Sequence, residues 1–197
     1  MRGPADTGLV RPLAPILAVL AVPLLAIVAV HQNQGRTEHE LARVASEIAG
    51  RKVDVHCPGI LERVVGVSSN AGTVFFDNKG RPASFTDLDE ETCSTLDRFA
   101  QGKTGPGDER KVARALHVLA HESAHLAGVR DEAAADCYGL QRTAVVAEEL
   151  GADSAEAERL ARIALEERAI TAPPDYRSSE CRDGGALDLD PGSSSWP

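Results

Sequence analysis

The feature that most restricts this chain lies near its start. Residues 13–30, LAPILAVLAVPLLAIVAV, are 18 consecutive apolar positions. No polar face interrupts them, so they do not make the amphipathic helix of a globular surface. At about 1.5 Å per residue the run nearly spans a hydrocarbon core, and Arg2 and Arg11 ahead of it predict a cytoplasmic N-terminus. The expected order is a cytoplasmic segment at 1–12, a transmembrane signal anchor in the lipid bilayer at 13–30, a folded domain outside the cytoplasm at 31–172, and an extended C-terminal tail at 173–197. Secretion after signal cleavage is the alternative, disfavoured because Ile27, Val28, Ala29 and Val30 make a poor cleavage site.

The remainder is long enough for one folded domain and too short for two. With 30 acidic and 21 basic side chains the net charge is -9, a field that repels nucleic acid, and no basic run reverses it locally. Cys57, Cys93, Cys137 and Cys181 form no C-x-x-C pair, which argues against a cysteine zinc site and for two disulfides in an oxidising compartment. Three pairings are possible; of these we favour Cys57 with Cys93 and Cys137 with Cys181, the latter pinning the tail.

Residues 37–49 carry apolar positions at helical spacing behind Thr37, with Glu40 placed as in a capping box. Residues 51–57 and 62–67 read as short strands, and TVFF, DNKGRP and ASF as a hairpin. Helices follow at 89–100, at about 109–127 behind Asp108 and ending at Gly128, from Asp131 onward, and at 154–170. The fold class expected is a small, helix-rich α+β domain with a short sheet before its central helix.

That central helix contains HESAH, residues 121–125. Positions i and i+4 share a helical face, so His121 and His125 can direct two imidazoles at one cation. Glu122 lies beside them, off that axis, where it can hold a water activated by zinc and take its proton. A catalytic zinc needs a third protein ligand, and Glu132 and Asp131 are both in range. HESAH followed by Glu132-Ala-Ala-Ala-Asp136 resembles the HExxH plus ExxxD pattern of gluzincin-type zinc metallopeptidases. The resemblance implies a zincin-like fold, one Zn2+ per chain held by His121, His125 and Glu132, Glu122 as catalytic base, and Asp136 orienting a ligand histidine. The chain departs from the large gluzincins in its spacer, six residues between His125 and Glu132, and is closer to a miniature version. It is also similar to actinobacterial membrane-anchored proteins with short HExxH domains. HESAHLAGVRD resembles the metzincin pattern too, with Asp131 as the alternative third ligand. Met1 is the only methionine, however, so the Met-turn of that group has no residue to form it, and Asp131 suits a helix N-cap.

The function expected is therefore a membrane-anchored, extracytoplasmic zinc metallopeptidase acting on peptide or protein substrates. An amidase of cell-wall peptides would use the same groups, and a non-catalytic zincin-like binding module is the alternative of a different class. His31, His39, His56 and His117 read as surface or satisfied core histidines. Tyr138 and Arg130 are the nearest groups that could donate a hydrogen bond to an oxyanion, but packing and solvation explain both, so neither joins the catalytic set.

Overall fold

A computed structural model of the chain describes residues 32–59, 71–193 and 196, within which Thr37–Pro197 belongs to one compact unit. Its elements run α1 (32–49), β1 (Asp54–His56), β2 (Gly72–Thr73), β3 (Phe85–Leu88), α2 (Glu90–Ala100), α3 (Glu109–Leu126), α4 (Glu132–Glu149) and α5 (Ser154–Thr171), closed by a 3-10 turn at Pro174–Tyr176. This is a small helix-rich α+β domain, as the sequence predicts.

Three strands form a sheet in the order β1-β3-β2, with β1 parallel and β2 antiparallel to β3. The expected hairpin forms: Phe76 bridges Pro82, and the backbone turns between Asp77 and Arg81. Along β3 the pleat buries Thr86 and Leu88 and leaves Asp87 outward, the alternation of a half-covered sheet. The strand read at 62–67 lies outside the described residues. Helix α1 begins before Thr37, so Thr37 is not its cap; its hydroxyl donates to Asp97 of α2 at 2.5 Å instead.

Leu41 and Val44 of α1, Val55 of β1, Leu96 of α2, Leu116 and Leu119 of α3 and Leu160 of α5 meet in one core. Helix α3 runs through the middle of it: Leu116, Leu119, Ala120 and Leu126 are wholly buried, and its polar residues His117, His121, Glu122 and His125 are nearly so. It ends where Gly128 takes φ 106°, a left-handed backbone that β-carbons resist. Arg51 Nε donates to the Leu126 carbonyl at 2.9 Å and its Nη2 to the Ala83 carbonyl, joining the helix end to the hairpin. The chain then reverses, and Asp131 caps α4 by accepting from Ala134 N at 2.8 Å. Asp153 does the same for α5. Asp108, expected to cap α3, accepts from Gly105 N and Arg98 and makes no side-chain cap.

The cell-membrane localisation expected from the apolar run is corrected. Among the described residues no helix is long and apolar enough to cross a membrane, because each packs one apolar face inward and carries charge on the other. Residues 13–30, on which the expectation rested, lie outside the described residues. Both disulfides form, Cys57–Cys93 and Cys137–Cys181, which fits an oxidising environment.

The Cys57–Cys93 bridge closes a long loop between the end of β1 and the first turns of α2, over a sequence separation of 36. Its replacement by two serines is expected to lower the free energy of unfolding by about 3–4 kcal/mol, read as a shift of the urea midpoint under non-reducing conditions. A midpoint unchanged from the parent chain would show that the loop is held without it.

Candidate metal centre

Three elements bring the donors together. Helix α3 presents His117, His121 and His125 at successive turns of one face, the Gly128 turn folds the chain back, and α4 supplies Glu132 from its first turn and Asp136 one turn later. The helices pack tightly at this level because α4 carries Gly139 there: a β-carbon on it would lie 3.0 Å from the His121 backbone and 3.1 Å from His117 Cε1.

His121 Nε2 and His125 Nε2 are 3.0 Å apart, and Glu132 Oε2 is 3.3 Å from the first and 3.2 Å from the second. Donors at zinc bond lengths of about 2.0–2.1 Å in a tetrahedron are separated by roughly 3.3 Å, so the three atoms fit one face of such a site. Orientation agrees: the backbone carbonyl of Val129 lies 2.7 Å from His125 Nδ1 and accepts its proton, which leaves the Nε2 lone pair facing the other donors. The side chains of His121 and His125 are almost fully covered, whereas that of Glu132 is 42% exposed and marks the open side. Asp131, the alternative ligand, is engaged in capping.

A second group of donors shares His121. His117 Nε2 donates to Asp136 Oδ1 at 3.1 Å, and His121 Nδ1 lies 3.9 Å from the same oxygen. Either group, His117/His121/Asp136 or His121/His125/Glu132, could hold a metal ion. Asp136 is already paired, however: Arg168 Nη2 donates to its Oδ1 and Arg168 Nε to its Oδ2 at 3.3 Å. The hydrogen-bonded histidine of Asp136 is thus His117, while His121 lies beyond hydrogen-bond reach.

Glu122 lies against β2 and lines the same cavity as His117, His121 and Asp136. A β-carbon on Gly72 would come within 2.5 Å of Glu122 Cγ and 2.6 Å of Oε1, so the strand passes over the carboxyl only because the residue is glycine. Glu122 Oε2 is buried with no hydrogen-bond partner among the described residues. Burial above all, helped by the Glu132 charge and only partly offset by the Thr86 hydroxyl, pushes the Glu122 carboxyl up to about 8. Burial, followed by the neighbouring His117 and His125, pulls His121 down to about 3.

The His117/His121/Asp136 group borders a cavity of about 340 Å³ whose walls also include Gly72, Glu122, Arg168 and Tyr176, and the His121/His125/Glu132 group reaches it through His121. Two of these were invisible to sequence reasoning. Tyr176 comes from the segment read as a tail; its ring stacks on that of His121, centroids 5.7 Å apart at 20°. Burial and the Glu132 carboxylate, to which its hydroxyl hydrogen-bonds, raise its phenol above the ordinary value. Arg168 sits on α5 with its guanidinium 5.4 Å from the Tyr176 ring centre. Of the residues weighed as oxyanion donors, Arg130 instead lies over the Phe76 ring, and Phe76 in turn packs edge-on to His125. No signal short of the fold links Tyr176 or Arg168 to HESAH, although His117, one turn before His121, was visible in the helical spacing.

Comparisons with protein-family models, curated proteins and solved structures find no match to this chain.

In the metal-free chain the two shifted groups work on opposite sides of neutrality. Glu122, raised from 4.5 to about 8, keeps its proton in the fold after the unfolded chain has lost it, so stability is lost as pH rises from 4.5 through 8. His121, lowered from 6.5 to about 3, stays neutral after the unfolded chain has gained a proton, so stability is lost as pH falls from 6.5 through 3. The metal-free protein is therefore expected to be most stable between these limits, with Glu122 alone of the two governing the decline above 6.5. Urea midpoints measured with a chelator present should fall between about pH 6 and pH 8, and Glu122→Gln should flatten that decline. A midpoint that rises over the same range would contradict the burial assigned to Glu122.

Proposed function

We propose that this chain is a zinc-dependent hydrolase of amide bonds in peptides or proteins. The observation that carries the reading is the triangle of His121 Nε2, His125 Nε2 and Glu132 Oε2, with edges of 3.0, 3.2 and 3.3 Å, of which His121 lines the same cavity as Glu122, whose Oε2 has no hydrogen-bond partner among the described residues.

In this reading His121, His125 and Glu132 hold the ion, two neutral nitrogens and one carboxylate, a donor set that suits zinc and leaves a fourth position open. Zinc bound there supplies a Lewis acid that polarises a carbonyl and makes water acidic near neutrality. The chain's own work is done around it. Val129 fixes the His125 tautomer. Glu122, its carboxyl drawn back to the ionised form by the charge of a bound ion, receives a proton at Oε2, the atom left without a partner among the described residues, and returns it to the departing nitrogen. Gly72 keeps β2 close enough to exclude water from the back of that carboxyl. Glu132 faces solvent, where a substrate can approach.

The test joins metal content to turnover. Full-length chain with its disulfides formed should carry about one zinc, and cleavage of a quenched-fluorescent peptide library should fall by roughly 100-fold or more in Glu122→Gln with zinc still bound. Zinc retained by both proteins with no cleavage of peptides or of cell-wall amides would replace the enzyme with a binding module. Equal cleavage by both would remove Glu122 from the chemistry.

A further inference from the structure

We infer that Arg168 is a positioning residue of this centre, its guanidinium fixing Asp136 behind His121 and Tyr176 across the face of the same ring. This rests on the metal-binding reading above. Arg168 occupies the last turn of α5, where a basic side chain is ordinarily an exposed complement to the helix dipole. Here it turns inward and its side chain is only 22% exposed. Both carboxylate oxygens of Asp136 receive a donor from it, Nη2 on Oδ1 and Nε on Oδ2. This two-pronged grip fixes a carboxylate's plane as well as its place.

Asp136 needs such a partner. It is 4% exposed, and a buried carboxylate without a countercharge takes up a proton or turns to water. His117 offers it one hydrogen bond at 3.1 Å and sits, like Asp136, under α5 and the tail. The carboxylate thus lies 3.9 Å from His121 Nδ1, too far for a hydrogen bond but near enough for its charge to favour the tautomer with the proton on that nitrogen and a bare lone pair on Nε2. On the other side of the ring Tyr176 stacks against His121, and the Arg168 guanidinium lies 5.4 Å from its centre. One side chain therefore touches both groups that confine the ligand ring. The same grip disfavours a second ion on His117, His121 and Asp136, since a positive charge already fills the carboxylate.

Zinc affinity of the full chain, with disulfides formed, tests this by competition with a chromophoric chelator, and needs no substrate. Arg168→Gln and Asp136→Asn are each expected to weaken zinc by about 10–100-fold. The double variant should stay within about twofold of the weaker single one, because Arg168 acts through Asp136. Arg168→Lys, which keeps the charge and loses the fork, should fall between Arg168→Gln and the parent. Affinity of Arg168→Gln within about twofold of the parent, or losses that multiply in the double variant, would each overturn the role. Should circular dichroism show Arg168→Gln unfolded, Arg168→Lys decides: weakened zinc supports the role and parental affinity overturns it. A parent chain that takes up no zinc overturns the metal centre itself, and Arg168's role with it. Tight zinc in the parent with unaltered variants overturns only Arg168.

Discussion

The crossing of α4 over α3 is the contact on which everything else depends. Gly139 lets the helix axes approach until α4 touches the His121 backbone, and the Gly128 turn sets the angle of return. Wider spacing would leave Glu132 out of reach of the two histidines. Tighter spacing is barred by the His117 ring. A third donor from a separate helix is thereby placed by main-chain packing rather than by its own flexible side chain, and the apolar mass around Leu116, Leu119 and Val146 maintains that spacing.

That arrangement puts titratable groups inside a small protein's core, where each must be neutralised or neutral. The chain uses three different solutions within one helix and its neighbours. His125 donates its Nδ1–H to a carbonyl, Asp136 is matched by a guanidinium, and Glu122 is raised, chiefly by burial, until it holds its proton. The last is the least settled chemically, because a carboxyl kept neutral by burial and a neighbouring carboxylate responds to any positive charge brought near it.

Much of this was legible in the residues. HESAH with i, i+4 spacing, Gly128 as a stop and Asp131 as a cap followed from local rules, since helix periodicity and capping are decided within a few residues. His121, His125 and Glu132, which the resemblance brought together, form one of two groups that could hold a metal ion, and the pairing of Cys57 with Cys93 and Cys137 with Cys181 was the favoured one of three possibilities. Other features lay beyond local rules. The start of α1 before Thr37 and the role of Asp108 were misread because a good capping residue can find a better partner elsewhere, in Asp97 or Gly105 and Arg98. Tyr176 and Arg168 were not seen at all: a tyrosine in a Pro-rich stretch and an arginine among alternating charges acquire meaning only through packing between distant segments. His117 was visible and discounted, since a third histidine on a helical face is ordinarily inert.

The order in which these parts appear along the chain has a consequence for assembly. His121, Glu122, His125 and Glu132 are contiguous and can meet as soon as α3 and α4 pair. Arg168 and Tyr176 come much later, and Tyr176 belongs to a segment bound back to α4 by Cys137–Cys181, one residue along from Asp136. A chain still being synthesised can therefore hold a cation before it has the groups that confine His121. The centre acquires its final shape only when the last fifth of the polypeptide has arrived and an oxidant has closed the bond behind it.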